Sequence, residues 1–532
     1  MIGGMQDVPL TTSFIIDHVA REHGAREVVT RYADGRLIRS NWAQVGHAAR
    51  QCAQLLESLG IQPGDRVATL AMNHGNHLAA WYGAMGMGGV MHTINPRLFD
   101  DQIVFIANHA GDRVLFFDAM FAPIVDRLKP RMPSIDHYIC FDSLDTDGFD
   151  ARIASFDGAY GWRDRDEREP CMLCYTSGTT GNPKGVLYTH RSTFLHALAS
   201  LQPDSQDLSA DCCGMPIVPM FHACAWGTPF AAAMAGAKLV MSATNEPAVL
   251  CDLMHSEGVT HSAGVPTVWL AMFAHIDATG ATPPPLKRVV IGGAAAPRAM
   301  LNRLLDMGMG VSHLWGMTEL SPIGTSARLP ANFATLTRDE QLDLLEMQGG
   351  AIFGIGMRII DGEGNELPRD GKTSGRLEVR GPWVVERYFG DESGPAVDAD
   401  GWFDTGDVAV IHPNGVMQIK DRAKDVIKSG GEWISSAILE NEAMGCPGVA
   451  EAAAIGIPHP KWDERPMLLI VRKEEGAPTE DQVRDHLSTR IAKWWMPDKI
   501  LFVDSLPHTA TGKLLKTALR EQYASAPLAQ AG

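Results

Sequence analysis

Residues 175–185 read Tyr-Thr-Ser-Gly-Thr-Thr-Gly-Asn-Pro-Lys-Gly, and this stretch decides how the rest of the chain is interpreted. The apolar runs Cys171–Tyr175 and Val186–His190 flank it, so the pattern predicts a loop between two strands. Glycines let backbone N–H groups approach an anion closely, while hydroxyls and an ammonium group add donors and positive charge. The residues concerned are Ser177, Gly178, Thr179, Thr180, Gly181 and Lys184. We expect a polyphosphate-binding loop, although most loops of this composition are flexible surface segments and the spacing is not that of a Walker loop.

Length and composition narrow the class of protein. The chain has 532 residues, of which 45% are hydrophobic and 20% charged, an ordinary globular composition. With 63 acidic against 46 basic residues, its formal net charge is −17, which argues against nucleic acid or an anionic membrane as the main partner. No apolar run reaches the roughly 18 residues that a membrane span needs, and the N-terminal residues lack the pattern of a signal peptide. We interpret the protein as cytoplasmic.

The cysteines allow two interpretations. Their number is nine, an odd count in a long chain, which indicates reduced thiols. Cys171 and Cys174 form a C-x-x-C pattern, and Cys212, Cys213 and Cys224 follow, so a zinc site must be considered. The pair lies inside the apolar segment before the loop, where free cysteine commonly serves as a small core residue. We favour the core interpretation, which bound zinc in an elemental analysis would contradict.

The order of helix and strand patterns predicts an α/β fold. Before the loop these patterns alternate, with helices at Phe14–Glu22 and Ala43–Leu59 and a strand at Arg66–Met72 among the clearest. Alternation of this kind predicts a large domain of stacked, mostly parallel sheets with helices. From about residue 350 short strands predict a small β-rich subdomain, and residues 435–503 suit a compact α+β domain. We predict an N-terminal domain over 1–420, a hinge at 421–424 and a mobile C-terminal lid domain over 425–532.

Three strand patterns end in turns that suit ligand binding. Val218–His222 leads into Ala225-Trp226-Gly227, Val289–Ile291 into Gly292-Gly293-Ala294, and Val311–Leu314 into Trp315-Gly316-Met317-Thr318-Glu319. The small residues of the second turn would let a flat ligand lie against the backbone. Because ligands of open α/β sheets bind at the carboxyl ends of strands, we expect the binding region at these turns.

The phosphate loop resembles that of the adenylate-forming superfamily, which contains acyl-CoA synthetases, luciferases and peptide-synthetase adenylation domains. The resemblance covers essentially the whole chain, through Trp315–Glu319, Gly401–Asp407, Lys420–Ser436 and His508–Lys513. It implies an enzyme that joins a carboxylate to AMP from ATP and then transfers the acyl group to the thiol of CoA. A carboxylate is a poor acylating agent because its leaving group would be oxide, whereas AMP leaves readily. Such chemistry requires groups that position three phosphates and neutralise developing charge.

The resemblance implies roles for residues of the N-terminal domain. The loop would bind the β- and γ-phosphates, Thr176 and Glu319 would meet Mg²⁺, and Thr318 would touch the α-phosphate. Trp315 occupies the place of an adenine-stacking aromatic that is more usually Tyr. The same pocket would contain Gly293, Ala294 and Gly316. Taken alone, Glu319 could equally be an acid at a helix N-terminus.

Two further residues are implied at the acyl pocket. His222 would lie beside the substrate carboxylate, although a histidine on an apolar flank is more often a satisfied core residue. Trp226 matches the residue that gates an acyl tunnel in long-chain members. The sequence shows a bulky aromatic side chain at this position and leaves its orientation open.

Nucleotide and CoA contacts are implied toward the C-terminus. Asp407 would accept hydrogen bonds from the ribose with help from Arg422, and Lys424 would be the pivot of the lid. The residues expected near the nucleotide in one state are Lys428 and Trp433, and those that would let pantetheine pass in the other are Gly430 and Gly431. Lys513 would be the mobile cation of the adenylation step. Alone, such a lysine is normally solvated and Asp407 could be a turn residue, so their motifs carry the assignment.

The acid is the least determined part of the prediction. Ile94–Leu98, Ala263–Trp269 and Ile457–Trp462 resemble the branch of bacterial medium- and long-chain fatty acyl-CoA synthetases. The same branch contains 3-(methylthio)propionyl-CoA ligases, to which Trp315–Glu319 is especially similar. A medium-to-long-chain fatty acid is the preferred substrate, with 3-(methylthio)propionate or another short acid as the alternative. Luciferase-like oxidation, acylation of a carrier protein and a catalytically silent AMP-binding regulator are further alternatives. A homodimer is expected by analogy with relatives.

Overall fold

The computed structural model describes residues 4–176, 182–391, 394–430, 432–473, 476–508 and 514–523. The chain divides into two compact units. The first consists of the described residues of Met1–Gly178, Asn182–Gly356 and Arg380–Phe403. The second consists of those of Met357–Val379 and Asp404–Gly532. The predicted hinge and domain limits stay predictions, and Met357–Val379 lies in the second unit although the sequence pattern suggested the N-terminal domain.

The first unit alternates helices and strands along its length. Its helices are α1 (Thr12–Glu22), α2 (Trp42–Ser58), α3 (Gly75–Met87), α4 (Asp100–Ala110), α5 (Ala122–Leu128), α6 (Phe149–Ile153), α7 (His190–Ser200), α8 (Thr228–Ala235), α9 (Pro247–Ser256), α10 (Pro266–Thr279), α11 (Arg298–Asp306) and α12 (Arg338–Glu346). Its strands are β1 (Glu27–Arg31), β2 (Leu37–Asn41), β3 (Arg66–Leu70), β4 (Val90–Thr93), β5 (Asp112–Phe117), β6 (His137–Cys140), β7 (Pro170–Tyr175), β8 (Gly185–Thr189), β9 (Cys213–Pro216), β10 (Lys238–Ser242), β11 (His261–Gly264), β12 (Arg288–Ile291), β13 (Gly310–Gly316), β14 (Ile323–Ser326) and β15 (Gly349–Ala351).

Two sets of strands organise this unit. A six-stranded sheet has the order β6-β5-β3-β4-β7-β8 and is parallel up to β7, which pairs antiparallel with β8. The other set runs β2-β1-β10-β9-β11-β12-β13-β14-β15 and is parallel from β1 to β13. Parallel strands buried on both faces read as continuous apolar runs, which is the pattern of β12 (Arg288–Ile291). The predicted α/β architecture of mostly parallel sheets with helices is confirmed.

Local sequence signals explain where the helices begin. The side chain of Asn41 accepts a hydrogen bond from the backbone of Gln44, whose side chain bonds back to Asn41, a capping box that starts α2. Helix α3 is buried from His77 to Met87 and packs against α2. An all-round apolar helix of this kind belongs in a core. Among the described residues, no helix is both long and apolar enough to cross a membrane.

The second unit contains shorter elements. Its strands are β16 (Gly356–Ile360), β17 (Ser374–Arg380), β18 (Phe403–Ile411), β19 (Val416–Arg422), β20 (Ile427–Ser429), β21 (Glu432–Ile434), β22 (Val449–His459), β23 (Asp463–Arg472) and β24 (Lys499–Phe502). Its helices are α13 (Ser436–Met444), α14 (Glu480–Ser488) and α15 (Lys516–Tyr523). Strands β16 to β19 are neighbours in that order, while β21-β20-β23-β22 form a further sheet with β24 beside β23. The core under this sheet includes Ile427, Leu439, Ala454, Leu468 and Val483.

Hydrogen bonds join the end of β19 to the start of α13. The hydroxyl of Ser436 donates to the carboxylate of Asp421 at 2.7 Å, and its backbone N–H donates to the same oxygen at 2.5 Å. Ser435 bonds the carbonyl of Lys420 with its hydroxyl. The segment predicted as a hinge, residues 421–424, is therefore fastened at its first residue to the helix that follows.

Candidate active site

The β7–β8 hairpin brings together the two ends of the predicted phosphate loop. The backbone N–H of Thr176 donates to the carbonyl of Lys184 at 2.9 Å. In return, the N–H of Lys184 donates to the Thr176 hydroxyl at 3.2 Å. Residues 177–181, which include the predicted phosphate ligands Ser177, Gly178, Thr179, Thr180 and Gly181, lie outside the described residues. Their roles stay predictions, but the side chains that flank them are placed.

Lys184 and Glu319 are brought to the same tyrosine. The hydroxyl of Tyr388 donates to Oε1 of Glu319 at 2.9 Å, and Nζ of Lys184 lies 4.6 Å from the centre of the Tyr388 ring. Glu319 is 7% exposed, so its carboxylate is largely withdrawn from water. The hydroxyl of Tyr188 on β8 donates to the backbone carbonyl of Thr318 at 2.6 Å. The structure thus collects Thr176, Lys184, Thr318 and Glu319 around the hairpin.

Tyr388 and Tyr188 were missed by the sequence interpretation. Tyr388 stands in Glu-Arg-Tyr-Phe-Gly (386–390), which has no loop or strand signature that would single it out. Tyr188 stands inside a strand pattern, where an aromatic residue normally indicates only β structure. Their contacts with residues distant in sequence become visible only in the fold.

A tight β13–β14 connection shapes the turn that carries Glu319. Strand β13 ends at Gly316, and the N–H of Met317 donates to the carbonyl of Pro322 at 3.0 Å. A Cβ atom at Gly316 would lie 1.9 Å from that carbonyl oxygen, so only glycine allows the approach. Trp315 is buried, and a Cβ at Gly324 would lie 2.7 Å from its Cζ3 atom. The adenine contact of Trp315 stays a prediction. Gly316, in contrast, is required by the close approach of the Pro322 carbonyl.

Trp226 lies in a small apolar cluster at the carboxyl ends of several strands. The indole is 5% exposed. Its buried neighbours in the cluster are Val218, Ala263, Val290, Leu314 and Ile323. A Cβ at Gly292 would lie 3.1 Å from Cη2 of Trp226, so this glycine lets the indole pack against the turn after β12. The next two residues, Gly293 and Ala294, are exposed.

The turn that carries Trp226 has an unusual backbone. Ala223, Cys224, Ala225 and Trp226 have φ angles of 39°, 50°, 50° and 54°, and Gly227 continues at 74°. Left-handed backbone costs a non-glycine residue roughly 1–2 kcal/mol, so a run of this kind persists only where its surroundings hold it. Half-buried His222 precedes the run, and its carbonyl accepts from the N–H of Ala225 at 3.0 Å. The predicted carboxylate neighbour and acyl gate therefore share one strained turn.

A pair of thiols connects this turn to the phosphate-loop hairpin. Sγ of Cys174, at the end of β7, lies 3.2 Å from Sγ of Cys224. Burial raises the pKa of the Cys224 thiol well above its usual range. The other half of the C-x-x-C pattern, Cys171, instead lies 3.3 Å from the hydroxyl of Thr193. All nine cysteines are free, and in the described part of the chain no group of three His, Cys, Asp or Glu side chains forms a potential metal cluster.

The second unit places two of the predicted nucleotide contacts side by side. Asp407 on β18 is opposite Arg422 on β19, and Nε of Arg422 lies 2.8 Å from Oδ1 of Asp407. The carboxylate is only 2% exposed while the guanidinium is 43% exposed, so the pair presents its cation outward. The hydroxyl of Thr405 accepts from the backbone N–H of Asp407 at 3.1 Å, which fixes the backbone at this position.

The remaining predicted residues of this unit surround the β20–β21 hairpin. Lys424 and Lys428 are exposed, and Lys428 pairs in register with Trp433. Gly430 has φ 61°, and a Cβ there would lie 2.9 Å from Cε3 of Trp462, so the packing of this indole already requires glycine. Gly431, Lys513 and the side chain of Trp433 lie outside the described residues.

The oxygen donors near the hairpin fit a hard metal ion. Thr176 offers a hydroxyl, and Glu319 offers a carboxylate that Tyr388 orients through one oxygen. Mg²⁺ prefers oxygen ligands and is commonly held by one or two protein groups together with substrate phosphates. Two donors are few for a metal bound by protein alone, but they suit an ion that arrives with a triphosphate.

Comparison with known proteins places the chain in a family. Residues 16–389 match the AMP-binding enzyme family, and residues 439–513 match the AMP-binding enzyme C-terminal domain. A 3-methylmercaptopropionyl-CoA ligase of Ruegeria lacuscaerulensis is 46% identical over 99% of each chain. A medium-chain-fatty-acid–CoA ligase of Ectopseudomonas oleovorans is 44% identical over 98% of each. The chain belongs to the AMP-binding enzyme family.

The fold is also similar to that of a solved structure. The crystal structure of ATP-bound MatB from Rhodopseudomonas palustris superimposes with a TM-score of 0.82 at 25% identity, covering 97% of this chain and 99% of that one. The predicted superfamily is therefore confirmed, and so is the predicted class of enzyme, a CoA ligase.

Proposed function

We propose that the protein uses Mg²⁺ and ATP to convert an aliphatic carboxylate into an acyl-adenylate, with release of pyrophosphate, and then transfers the acyl group to CoA. The observation that carries this proposal is the convergence of Lys184 and Glu319 on Tyr388, beside the closed ends of the phosphate loop. A cation and an oriented acid at this place suit a triphosphate and its metal ion. The matches to AMP-binding enzymes and CoA ligases support the same activity.

In this proposal each placed side chain has a distinct task. Lys184 neutralises charge on the β- and γ-phosphates, and the oxygens of Thr176 and Glu319 hold Mg²⁺, which when bound stabilises the charge developing on the phosphates. Thr318 contacts the α-phosphate. Asp407 accepts hydrogen bonds from the ribose while its partner Arg422 turns its guanidinium outward.

Three residues outside or beside the described ranges complete the scheme. Lys513 supplies the mobile cation of the first half-reaction. In the second half-reaction Gly430 and Gly431 let the pantetheine of CoA pass close to the backbone. Glycine at position 430 is also required by the packing of Trp462.

A medium-to-long-chain fatty acid is the substrate we favour. Trp226 packs in a cluster of apolar side chains, which suits an aliphatic acyl chain. Each buried methylene contributes roughly 0.8 kcal/mol to binding, so a deep apolar tunnel would favour longer acids stepwise. The 44% identical relative named as a medium-chain-fatty-acid ligase supports this choice.

A short thioether acid is the second candidate. The indole of Trp226 is almost fully buried against Gly292, so in this conformation it fills the apolar cluster. A pocket closed by such a side chain would accept only a short acid. The 46% identical relative named as a 3-methylmercaptopropionyl-CoA ligase supports this alternative.

One assay separates the two candidates. AMP release with Mg-ATP and CoA is measured for propionate, 3-(methylthio)propionate, butyrate, octanoate and palmitate. A kcat/KM that rises toward octanoate or palmitate supports the fatty-acid ligase, whereas a maximum at the short acids supports the thioether-acid ligase. ATP–pyrophosphate exchange in the same samples tests the silent-regulator alternative, since a regulator would show no exchange with any acid.

Replacement of Trp226 by Ala tests the proposed gate. Removing the indole opens the apolar cluster, so we expect kcat/KM for octanoate relative to butyrate to increase about tenfold, equivalent to burying roughly two further methylenes. Trp162→Ala is a matched control, because Trp162 packs against Arg50 away from these turns. A chain-length profile that Trp226→Ala leaves unchanged would remove this residue from the acyl pocket.

A homodimer and a cytoplasmic location complete the proposal. Both rest on analogy and on the composition of the chain. Light scattering of the purified protein gives the oligomeric state, and a monomer across the micromolar range would contradict the first part. The dependence on Mg²⁺ is tested by titrating the metal into the exchange assay.

A further inference from the structure

A short segment of the first unit spans the distance between the phosphate-loop hairpin and the turn that carries Glu319. We call residues 385–389 the Tyr388 segment. At one end, the N–H of Val385 donates to the carbonyl of Glu319 at 2.7 Å. At the other end, the N–H of Phe389 donates to the carbonyl of Gly185 at 2.8 Å, and the two residues form an antiparallel bridge. The segment is therefore fixed to the backbone of both elements that carry the proposed phosphate and metal ligands.

Contacts of neighbouring residues fix the position of the Tyr388 segment. Trp383, just before it, donates from its indole N–H to the carbonyl of Ile323 at 3.1 Å. The Phe389 ring lies 5.5 Å from the His109 ring, edge to face, and Nδ1 of His109 lies 2.7 Å from the hydroxyl of Tyr175, the residue before Thr176. Packing on both sides gives the Tyr388 ring a defined position.

The side chain of Tyr388 contacts two opposite charges at once. Its hydroxyl donates to Oε1 of Glu319, and its ring face receives the ammonium of Lys184. A phenol is protonated at neutral pH, so this hydroxyl is the donor and the carboxylate is the acceptor. In the part of the chain that the structure describes, no ion pair joins Lys184 to Glu319.

A lysine and a glutamate that are free to meet would pair and cancel each other. Paired in this way, the lysine would be lost to the phosphates and the carboxylate would be lost to the metal. A neutral ring between them holds both charges in place and leaves one carboxylate oxygen for another ligand. We propose that Tyr388 is a positioning residue, which keeps Glu319 oriented for the metal and Lys184 poised for the phosphates of the nucleotide. This inference rests on the proposed function, because it deepens the account of the same nucleotide site.

Two variants separate the two contacts. Tyr388→Phe removes only the hydroxyl, so it loses the hydrogen bond to Glu319 and keeps the ring under Lys184. Tyr388→Leu removes both. The readout is the equilibrium Kd for ATP, measured by calorimetry once with Mn²⁺ and once in EDTA, with no carboxylate present. This readout does not depend on turnover.

The expected change in Kd differs between Mn-ATP and metal-free ATP. Tyr388→Phe should weaken binding of Mn-ATP about tenfold, the effect of losing a hydrogen bond to a charged group, and leave metal-free ATP unchanged. Tyr388→Leu should weaken Mn-ATP at least as much and also weaken metal-free ATP about threefold, the effect of losing an exposed cation–π contact. Thermal melts of each variant confirm that it is folded.

Tyr160→Phe is the matched control. The hydroxyl of Tyr160 donates to Oε1 of Glu57 at 2.7 Å, the same type of contact in the same unit but away from the hairpin. This variant should bind both forms of ATP as the unchanged protein does. The inference is overturned if Tyr388→Phe binds Mn-ATP with unchanged Kd, or if it weakens metal-free ATP equally, which would indicate a general structural role. Failure of the proposed function would be seen separately, as absence of ATP–pyrophosphate exchange in the unchanged protein.

Discussion

Single side chains determine how charge is presented at the proposed nucleotide site. The carboxylate of Asp407 is almost completely buried and is held by Arg422, while its backbone N–H donates to the hydroxyl of Thr405. Tyr388 holds Glu319 in a similar way in the first unit. In both places a neighbouring side chain contacts a buried acid and orients it before any ligand arrives. Preorganised groups of this kind avoid the cost of reorientation during a reaction.

Replacing Lys513 by Ala should affect the two half-reactions differently. If Lys513 is the mobile cation of adenylation, its loss removes charge stabilisation there, and we expect acyl-adenylate formation to fall at least about a hundredfold. Thioester formation from a supplied acyl-adenylate should retain most of its rate, because that step releases AMP without a pyrophosphate charge to neutralise. Single-turnover assays of each half-reaction provide the measurement.

The control for this variant is Lys493→Ala, at an exposed lysine of the second unit. It should leave both half-reactions unchanged. Equal loss of both rates in Lys513→Ala would contradict an alternating lid and assign the residue to general stability.

At the scale of elements, the left-handed turn before α8 is the most strained part of the described chain. It is held from several sides: Nε2 of Gln206 donates to the carbonyl of Trp226 at 2.9 Å, and Cys224 packs against Cys174. Backbone strain of this kind tends to collect at functional sites, where surrounding structure over-determines it. A turn that already stores conformational energy would suit the proposed gate at Trp226.

Ala225→Gly tests whether the turn is strained. Glycine adopts φ near 50° without the steric cost of a Cβ atom, so we expect the free energy of unfolding to rise by about 1 kcal/mol. Urea denaturation followed by tryptophan fluorescence measures it. The same change in the helix α8, Ala231→Gly, should lower the free energy of unfolding by about 1 kcal/mol because glycine disfavours helices. Destabilisation by both variants would show that the turn is relaxed.

At the scale of the whole molecule, buried histidines link stability to pH. Burial lowers the pKa of His77, His190 and His196 to about 3 each, so all three are neutral in the folded chain. In the unfolded chain they titrate near 6.5. A group whose folded pKa is depressed contributes stability that is complete above the unfolded pKa and is lost as the pH falls below it. The first unit contains all three histidines, so its free energy of unfolding should fall in mild acid.

The expected size of the effect follows from the protons taken up on unfolding. Between pH 7 and pH 5 each histidine should lower the free energy of unfolding by about 2 kcal/mol, and the three together by about 6 kcal/mol. Urea titrations at several pH values measure the change. His196→Gln offers a control, because Nε2 of His196 accepts from the N–H of Ile323 at 3.1 Å and a glutamine oxygen can do the same without titrating. Between pH 7 and pH 5 the free energy of unfolding of this variant should fall by about 4 kcal/mol. If it falls as much as that of the unchanged protein, His196 is not neutral in the folded chain.

Local patterns were sufficient for most of the elements. The helix predicted at Phe14–Glu22 is Thr12–Glu22, the one at Ala43–Leu59 is Trp42–Ser58, and the strand at Arg66–Met72 is Arg66–Leu70. Periodicity and caps act over a few residues, so they can be seen without the fold. The unit to which a segment belongs cannot be seen in this way. Met357–Val379 lies in the second unit because β17 pairs with β18 and β16 pairs with β17.

The family, the enzyme class and the identity of most proposed ligands were readable from the order of residues alone, because motifs such as Tyr175–Gly185 and Trp315–Glu319 are contiguous. The partners of those ligands were not. Tyr388 contacts Glu319, which is 69 positions away in the chain, and also contacts the more distant Lys184. Cys174 contacts Cys224, which is 50 positions away. Contacts of this kind leave no period or spacing in the chain, since they arise only when separate strands and turns pack together. For that reason the residues of the proposed site could be named from the sequence, while the contacts that orient them are seen only in the folded molecule.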